Sequence, residues 1–183
     1  MQTIFAQKYL MVTLIKNTRI INRGNSVYGD ILIKDNRIVK CGGVIDVREN
    51  AEEINGEGLW CVPGIIDDQV HFREPGYTHK ADIASESRAA IAGGVTSFME
   101  MPNTFPPAVT TQLLEDKYRI AARSAYANYS FFMGVSNDNY DKLMRVDPAR
   151  VCGYKIFMGS STGSLLVDDR AVLEKVFEAA PML

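Results

Sequence analysis

The sequence contains little histidine and cysteine, and this scarcity excludes several kinds of metal-bound and disulfide-bonded protein. It has two histidines and three cysteines among 183 residues. Cys41, Cys61 and Cys152 are odd in number and show no CxxC spacing, which argues against a disulfide framework and against a structural zinc site. Because free cysteines are typical of a reducing compartment, the cytoplasm is the expected location.

The chain also lacks long basic runs and long apolar runs. Its net charge is -2, and no Lys/Arg-rich segment marks it as a protein that binds nucleic acid or an anionic membrane. The mildly apolar start is interrupted by Lys8 and has no small-residue cleavage site, so we expect neither a signal peptide nor a membrane span. We predict an N-terminal extension over residues 1–11, a small-molecule substrate and assembly as a homo-oligomer.

Short β-branched runs separated by turn residues fill residues 12–62. They include "VTLIKNTRII", "DILIKDNRIVKCGG" and "GEGLWCV". The "KDNR" segment predicts a hairpin turn, because Asp35 and Asn36 tolerate positive φ and bond their own backbone. Residues 12–62 are therefore predicted to form a small all-β unit.

Apolar strands alternate with helix-length amphipathic segments in residues 63–183. The predicted strands are "GIIDDQVHF", "GVTSFMEMP", "YSFFMGV" and "CGYKIFMGS", which indicate a parallel β/α sheet. They begin roughly 30 residues apart, as expected for a (β/α)8 barrel, so the segment should supply about four βα units, half of a barrel. An open doubly wound sheet is the alternative, but the chain has neither a GxGxxG nor a GxxxxGK[ST] motif to support it.

Capping residues mark the ends of the predicted helices. "DIASESRAAIAGG" should begin after an N-cap at Asp82 and end at Gly93 in the left-handed conformation. "TTQLLEDKYRIAARSA" opens with threonines, and "DDRAVLEKVFEAA" opens with aspartates that suit a helix N-terminus. The apolar face of this last helix is predicted to comprise Val172, Leu173, Val176, Phe177 and Ala180.

Three polar residues lie in or directly after predicted strands, near the edge where β/α folds place their sites, so we expect adjacent loops to bring them together. His71 ends the first strand, Asn103 lies in "MPNT" after the second, and Lys155 lies in the fourth. Taken singly, His71 is explained by packing or hydrogen bonding, because one histidine cannot hold a metal, and Asn103 by turn chemistry after a proline. A lysine in an apolar strand must instead be paired, lose its charge or be chemically modified, for example to a carbamate.

Arg73, which follows His71 by two residues, offers a planar fork to a carboxylate. An ion pair with Glu74 or Asp67 explains the same arginine equally well.

The chain resembles the cyclic-amide hydrolases of the amidohydrolase superfamily, and most closely the dihydroorotases, in three segments: "PGIIDDQVHFREPG", "AAIAGGVTSFMEMPNT" and "GYKIFMGSSTG". The resemblance implies a TIM barrel accompanied by a small β-sandwich, which here would begin with residues 12–62. It also implies one or two divalent metal ions, usually Zn2+, and the interconversion of dihydroorotate and N-carbamoyl-L-aspartate in pyrimidine biosynthesis.

The resemblance further assigns roles to individual residues. His71 would be a metal ligand, Lys155 the carboxylated lysine that bridges two metals, and Arg73 with Asn103 the site of the substrate carboxylate. Gln69 stands where the family has the first histidine of a His-x-His pair, and its amide oxygen is a poor zinc ligand.

The family's other metal ligands, two histidines and a catalytic aspartate, lie on later strands that these 183 residues do not include. The chain is thus expected to be a truncated N-terminal half, inactive alone. Two other hypotheses remain open: a hydantoinase- or allantoinase-like enzyme, and a noncatalytic homologue that acts as a partner subunit. The Arg73–Asn103 pair favours dihydroorotase, whereas Gln69 favours the noncatalytic homologue.

Overall fold

A computed structural model of the protein describes residues 11–48, 50–161 and 163–180. The chain divides into two compact units between Pro63 and Gly64. The predicted N-terminal extension lies outside the described residues except for Met11. The strands are β1 (Val12–Asn22), β2 (Asn25–Lys34), β3 (Arg37–Cys41), β4 (Glu52–Asn55), β5 (Trp60–Cys61), β6 (Ile65–Val70), β7 (Val95–Glu100), β8 (Asn128–Gly134) and β9 (Gly153–Lys155), and the helices are α1 (Ile83–Ala92), α2 (Thr111–Ser124), α3 (Tyr140–Leu143) and α4 (Arg170–Ala179).

The N-terminal unit is one small sheet in the order β3-β2-β1-β4, with β5 also paired to β1. Strands β1, β2 and β3 are antiparallel neighbours, and the predicted hairpin turn is present, with φ 54 at Asp35. Apolar residues of period two pack into its core, which includes Val12, Leu14, Leu32 and Ile45. The predicted all-β unit is confirmed, although strand β4 was not predicted.

The C-terminal unit is a curled parallel sheet in the order β6-β7-β8-β9. Helix α1 connects β6 to β7 and helix α2 connects β7 to β8. Strands that follow one another in both sequence and space are what a barrel requires, whereas a doubly wound sheet reverses its order at a switch point. The predicted parallel β/α architecture is therefore confirmed, and the doubly wound alternative is wrong.

The N-caps of α1 and α2 lie where the sequence predicts them, but the end of α1 differs by one residue. Asp82 accepts a hydrogen bond from the Ser85 N–H at 2.7 Å, and Thr110 caps α2. Gly93 has φ -88, and the left-handed residue is Gly94, with φ 86. The Gly93 N–H still bonds to carbonyls of the last helical turn, so the chain turns away only at the second glycine.

Helix α4 buries only part of the predicted apolar face: Val172, Leu173 and Val176 pack against the core, whereas Phe177 and Ala180 do not. Val176 and Ala179, three residues apart, are buried, whereas Phe177 is 58% exposed and Ala180 is also exposed. Val176 and Ala179 are the residues that α4 buries fully, and Phe177 is left exposed. No helix within the described ranges is long and apolar enough to cross a membrane.

Candidate functional site

Two loops at the carboxyl ends of β6 and β7 lie against each other and hold most of the predicted site residues. The Phe105 N–H donates to the Pro75 carbonyl at 3.0 Å, and the Met101 N–H donates to the Val70 carbonyl at 3.0 Å. At Gly76, with φ 92, an added Cβ would lie 2.2 Å from the Phe105 carbonyl oxygen. Only glycine fits this close approach, so the "REPG" segment fixes the position of the "MPNTFPP" segment.

His71 and Asn103 make a direct side-chain contact across these two loops. His71 Nδ1 lies 2.9 Å from Asn103 Oδ1, and Asn103 is buried. Because an amide oxygen only accepts, the His71 Nδ1–H must donate, which leaves the Nε2 lone pair of the neutral ring free. An imidazole oriented in this way can serve as a metal ligand or a proton acceptor through Nε2.

Arg73 contacts the end of strand β7 with its backbone and the loop after β7 with its side chain. Its Nη1 donates to the Asn103 carbonyl at 3.2 Å, and its backbone N–H donates to Glu100 Oε1 at 3.0 Å. No ion pair joins Arg73 to Glu74 or Asp67 in the part of the chain that the structure describes. Their carboxylates instead accept backbone N–H groups of Ile83 and Gln69. The remaining guanidinium donors of Arg73 are thus not committed to either carboxylate.

A buried ion pair that was not predicted joins Lys117 to Glu100, the residue that accepts the Arg73 N–H. Lys117 Nζ is 2.7 Å from Glu100 Oε2, and the two side chains are 1% and 0% exposed. Burial raises the pKa of the Glu100 carboxyl, with Lys117 opposing, and burial lowers the pKa of the Lys117 ammonium, with Glu100 opposing. Two features of the sequence could have revealed the pair: a glutamate inside an apolar strand, and a lysine spaced with Leu114 and Ala121 on the buried face of α2.

Lys155 and Gln69 are less closely integrated with the other site residues. Lys155 ends strand β9, two strands from the strand that leads to Asn103, and its Nζ lies 5.2 Å from the centre of the Phe157 ring. Lys155 is half-buried and Gln69 is exposed. The structure therefore brings together His71, Arg73 and Asn103, and it shows no such contact for Lys155 or Gln69 among the described residues.

The donor set does not make a metal site by itself. Among residues 11–48, 50–161 and 163–180, no group of three or more His, Cys, Asp or Glu side chains could hold a metal ion. His71 supplies one imidazole nitrogen, Gln69 only a neutral oxygen and Lys155 an amine. A catalytic zinc needs three good protein ligands and an open position, so these residues alone do not hold one.

The sequential parallel sheet, with its polar loops at the carboxyl edge, defines the N-terminal part of a β/α barrel. L-Hydantoinase (dihydropyrimidinase) from Arthrobacter aurescens matches it with a TM-score of 0.85 over 93% of this chain and 38% of that chain. At 23% sequence identity this similarity shows a shared fold. The predicted half of a TIM barrel, preceded in sequence by a small β segment, is confirmed.

Sequence similarity then relates the chain to dihydroorotases and allantoinases. Residues 58–142 match the family model described as Dihydro-orotase-like. The chain is 37% identical over 182 residues to the dihydroorotase of Lactococcus lactis subsp. lactis, covering 94% of this chain and 40% of the relative. It is 32% identical over 170 residues to the allantoinase of Solibacter usitatus, covering 91% of this chain and 37% of the relative. Together these matches support a dihydroorotase-like N-terminal part of an amidohydrolase.

The chain spans 40% and 37% of the length of these two curated relatives and corresponds to their N-terminal part. The relatives are cyclic amidohydrolases, and members of the superfamily generally use metal ions.

Proposed function

We propose that this chain is the N-terminal, substrate-binding part of a dihydroorotase that interconverts dihydroorotate and N-carbamoyl-L-aspartate in pyrimidine biosynthesis. The observation that carries the proposal is the position of Arg73 beside Asn103, with the guanidinium donating to the Asn103 carbonyl at 3.2 Å and no carboxylate of the described residues paired with it. A half-buried arginine with unused donors is suited to bind a ring carboxylate.

Each of the three clustered residues would have its own role in binding the substrate. Arg73 would bind both oxygens of the carboxylate through its planar fork, which fixes the plane of the ring as well as its position. The Asn103 side-chain NH2 would donate beside it, because its Oδ1 already accepts from His71 Nδ1 at 2.9 Å. His71 Nε2 would then face the reacting part of the ring.

We further propose that this chain contributes an incomplete set of ligands to a divalent metal site, with zinc as the expected ion. His71 Nε2 would be one ligand, and Lys155 would become a ligand only after its amine is carboxylated. Gln69 would leave one position weak, since a neutral amide oxygen competes poorly with imidazole for zinc. The orientation of His71 by Asn103 supports its role as a ligand.

A comparison of two rings tests the proposed substrate. Dihydroorotate and dihydrouracil share the cyclic amide, but only dihydroorotate carries a carboxylate. We expect the gene product at its natural length to bind dihydroorotate at least about tenfold more tightly, and Arg73→Lys to abolish most of that preference, because charge-assisted contacts contribute about 1.5–3 kcal/mol. Isothermal titration with each ring provides the measurement.

Arg170→Lys is the matched control, because Arg170 is 90% exposed and pairs with Glu174 on α4. This variant should keep the wild-type preference. Equal affinity of the wild-type protein for the two rings would exclude the proposal.

A second candidate function is that of an allantoinase or hydantoinase, and the 32% identity to the Solibacter usitatus allantoinase favours it. Allantoin and dihydrouracil lack a ring carboxylate, so binding of either one with an affinity that does not depend on Arg73 would select this candidate. A noncatalytic partner subunit, which Gln69 favours, predicts that no ring binds at all.

A further inference from the structure

We propose that Glu100 and Lys117 are positioning residues that hold Arg73 in its left-handed backbone conformation and thereby set the direction of its guanidinium group. The effect on the Arg73 backbone is independent of what the protein binds. Its consequence for carboxylate recognition rests on the proposed function.

The backbone of Arg73 is in a conformation that needs external support. Its φ is 69, in the region where a side chain with a Cβ is sterically disfavoured, and the residue is not glycine. The N–H of Arg73 points to Glu100 Oε1 at 3.0 Å, while its carbonyl accepts from the Tyr77 N–H at 3.0 Å. A charge-assisted acceptor for this N–H offsets the steric cost of the conformation.

Lys117 fixes the acceptor. Its Nζ is 2.7 Å from Glu100 Oε2 and donates to the Met101 carbonyl at 3.1 Å. It also lies 4.9 Å from the centre of the Phe131 ring. With one carboxylate oxygen held by Lys117, the other is left directed at the Arg73 N–H. Helix α2 is thus connected through Lys117 and Glu100 to the loop that carries the substrate-binding arginine.

Stability alone does not explain this arrangement. A buried ion pair can often be replaced by apolar residues of similar volume with no loss of stability, because desolvation of both charges offsets their attraction. An apolar pair could supply neither the acceptor for the Arg73 N–H nor the donor to the Met101 carbonyl, and only the first of these contacts reaches the loop after β6. The Glu100–Lys117 pair therefore serves to position Arg73 rather than to stabilise the core.

Two double variants separate positioning from packing. Glu100→Leu with Lys117→Met removes both charges and the acceptor of the Arg73 N–H but keeps an apolar core. Glu100→Gln with Lys117→Met removes both charges and keeps a weaker neutral acceptor. We expect both variants to unfold cooperatively, because apolar replacement of a buried ion pair is generally tolerated.

Hydrogen exchange at the Arg73 amide is the primary measurement, made on the gene product at its natural length. It should accelerate at least about tenfold in the Leu/Met variant and several-fold in the Gln/Met variant. Exchange at the Ser85 amide, which is bonded to Asp82 outside this network, should stay unchanged. Unchanged Arg73 exchange in either folded variant overturns the proposal, so the Gln/Met variant decides if the Leu/Met variant does not fold.

Ligand binding provides the second measurement. The preference for dihydroorotate over dihydrouracil should fall in the Leu/Met variant nearly as far as in Arg73→Lys, and combining all three substitutions should add little, because they act through one group. Independent, additive effects would contradict positioning through Arg73. If the wild-type protein binds neither ring, the proposed function fails, while the exchange measurement still decides the role of Glu100 and Lys117.

Discussion

At Asp30 one buried side chain connects two separate parts of the N-terminal sheet. Its Oδ2 accepts from the Ile45 N–H at 2.9 Å and its Oδ1 from the Asn17 N–H at 3.0 Å. Asn17 has φ 59 and lies where the register of β1 and β2 shifts. The hydrogen bond from Ile45, and then that from Asn17, lowers the pKa of the Asp30 carboxyl. This carboxylate satisfies two backbone groups that the sheet itself leaves unpaired.

We predict that Asp30→Ala lowers the free energy of unfolding by about 1–3 kcal/mol, because the buried Ile45 N–H and the part-buried Asn17 N–H lose their acceptor. The pKa is lower in the folded state, so the stabilisation is fully present above the unfolded value near ~3.9 and is lost as pH falls through the folded value. Urea unfolding of both proteins between pH 7 and acid should therefore show the difference shrinking below about pH 4. Asp46→Asn, at an exposed position, is the control and should change little at any pH.

Among the structural elements, the loops after β6 and β7 depend on a glycine more strictly than the turn after α1 does. Gly76 combines a φ of 92 with a backbone carbonyl 2.2 Å from where a Cβ would lie. Gly94 has a similar φ of 86, but nothing lies within 4 Å of its added Cβ. A substitution at Gly94 therefore measures the cost of the left-handed conformation alone. A substitution at Gly76 adds the cost of a steric clash.

We predict that Gly94→Ala lowers the free energy of unfolding by about 1–2 kcal/mol, because a residue with a side chain is strained in the left-handed conformation. Gly76→Ala should lower it clearly more. The additional cost reflects displacement of Phe105, which must move together with the loop that carries Asn103. Chemical denaturation gives the two free energies, and chemical shifts of the His71 and Asn103 side chains report the displacement. Equal costs for the two variants would show that the loops are not held together at Gly76.

At the scale of the whole molecule, the parallel sheet has apolar surface at both of its edge strands. Strands β6 and β9 each pair on one side only within the described chain. Ile65 and Ile66 are 55% and 61% exposed. A groove of about 260 Å³ runs along β9 and α4 and is lined by Gly153, Tyr154, Ile156, Val176, Phe177 and Ala180. Unpaired parallel strands beside an apolar groove favour association.

We predict that purified residues 1–183 self-associate and neither open dihydroorotate nor close N-carbamoyl-L-aspartate. Phe177→Glu should shift the protein toward the monomer on a sizing column with light scattering, because it places a charge in the groove. Met144→Glu, an exposed apolar position outside the groove, should leave the association state unchanged. Zinc-dependent turnover by a monomer of this length would contradict the inference that its residues are too few to hold a catalytic zinc. It would also contradict the half-barrel interpretation.

The sequence by itself determined the local structure and the approximate position of the site. Alternating β-branched runs, the "KDNR" turn and the N-caps Asp82 and Thr110 depend on neighbours within a few residues, so they could be predicted. His71 and Asn103 could be placed near each other because the carboxyl ends of neighbouring parallel strands meet at one edge. Lys155 was expected to join them, but among the described residues it makes no such contact. Their roles in binding substrate or metal remain proposals.

Only the tertiary structure decided how these groups are held and which surfaces they leave exposed. The Glu100–Lys117 pair joins residues 17 positions apart on different elements, and Phe177 is exposed although its helical spacing predicted burial. Both outcomes depend on which strands and helices pack together. Sequence periodicity shows that an element has an apolar face, but the direction of each side chain is settled only when the neighbouring elements fill the space around it.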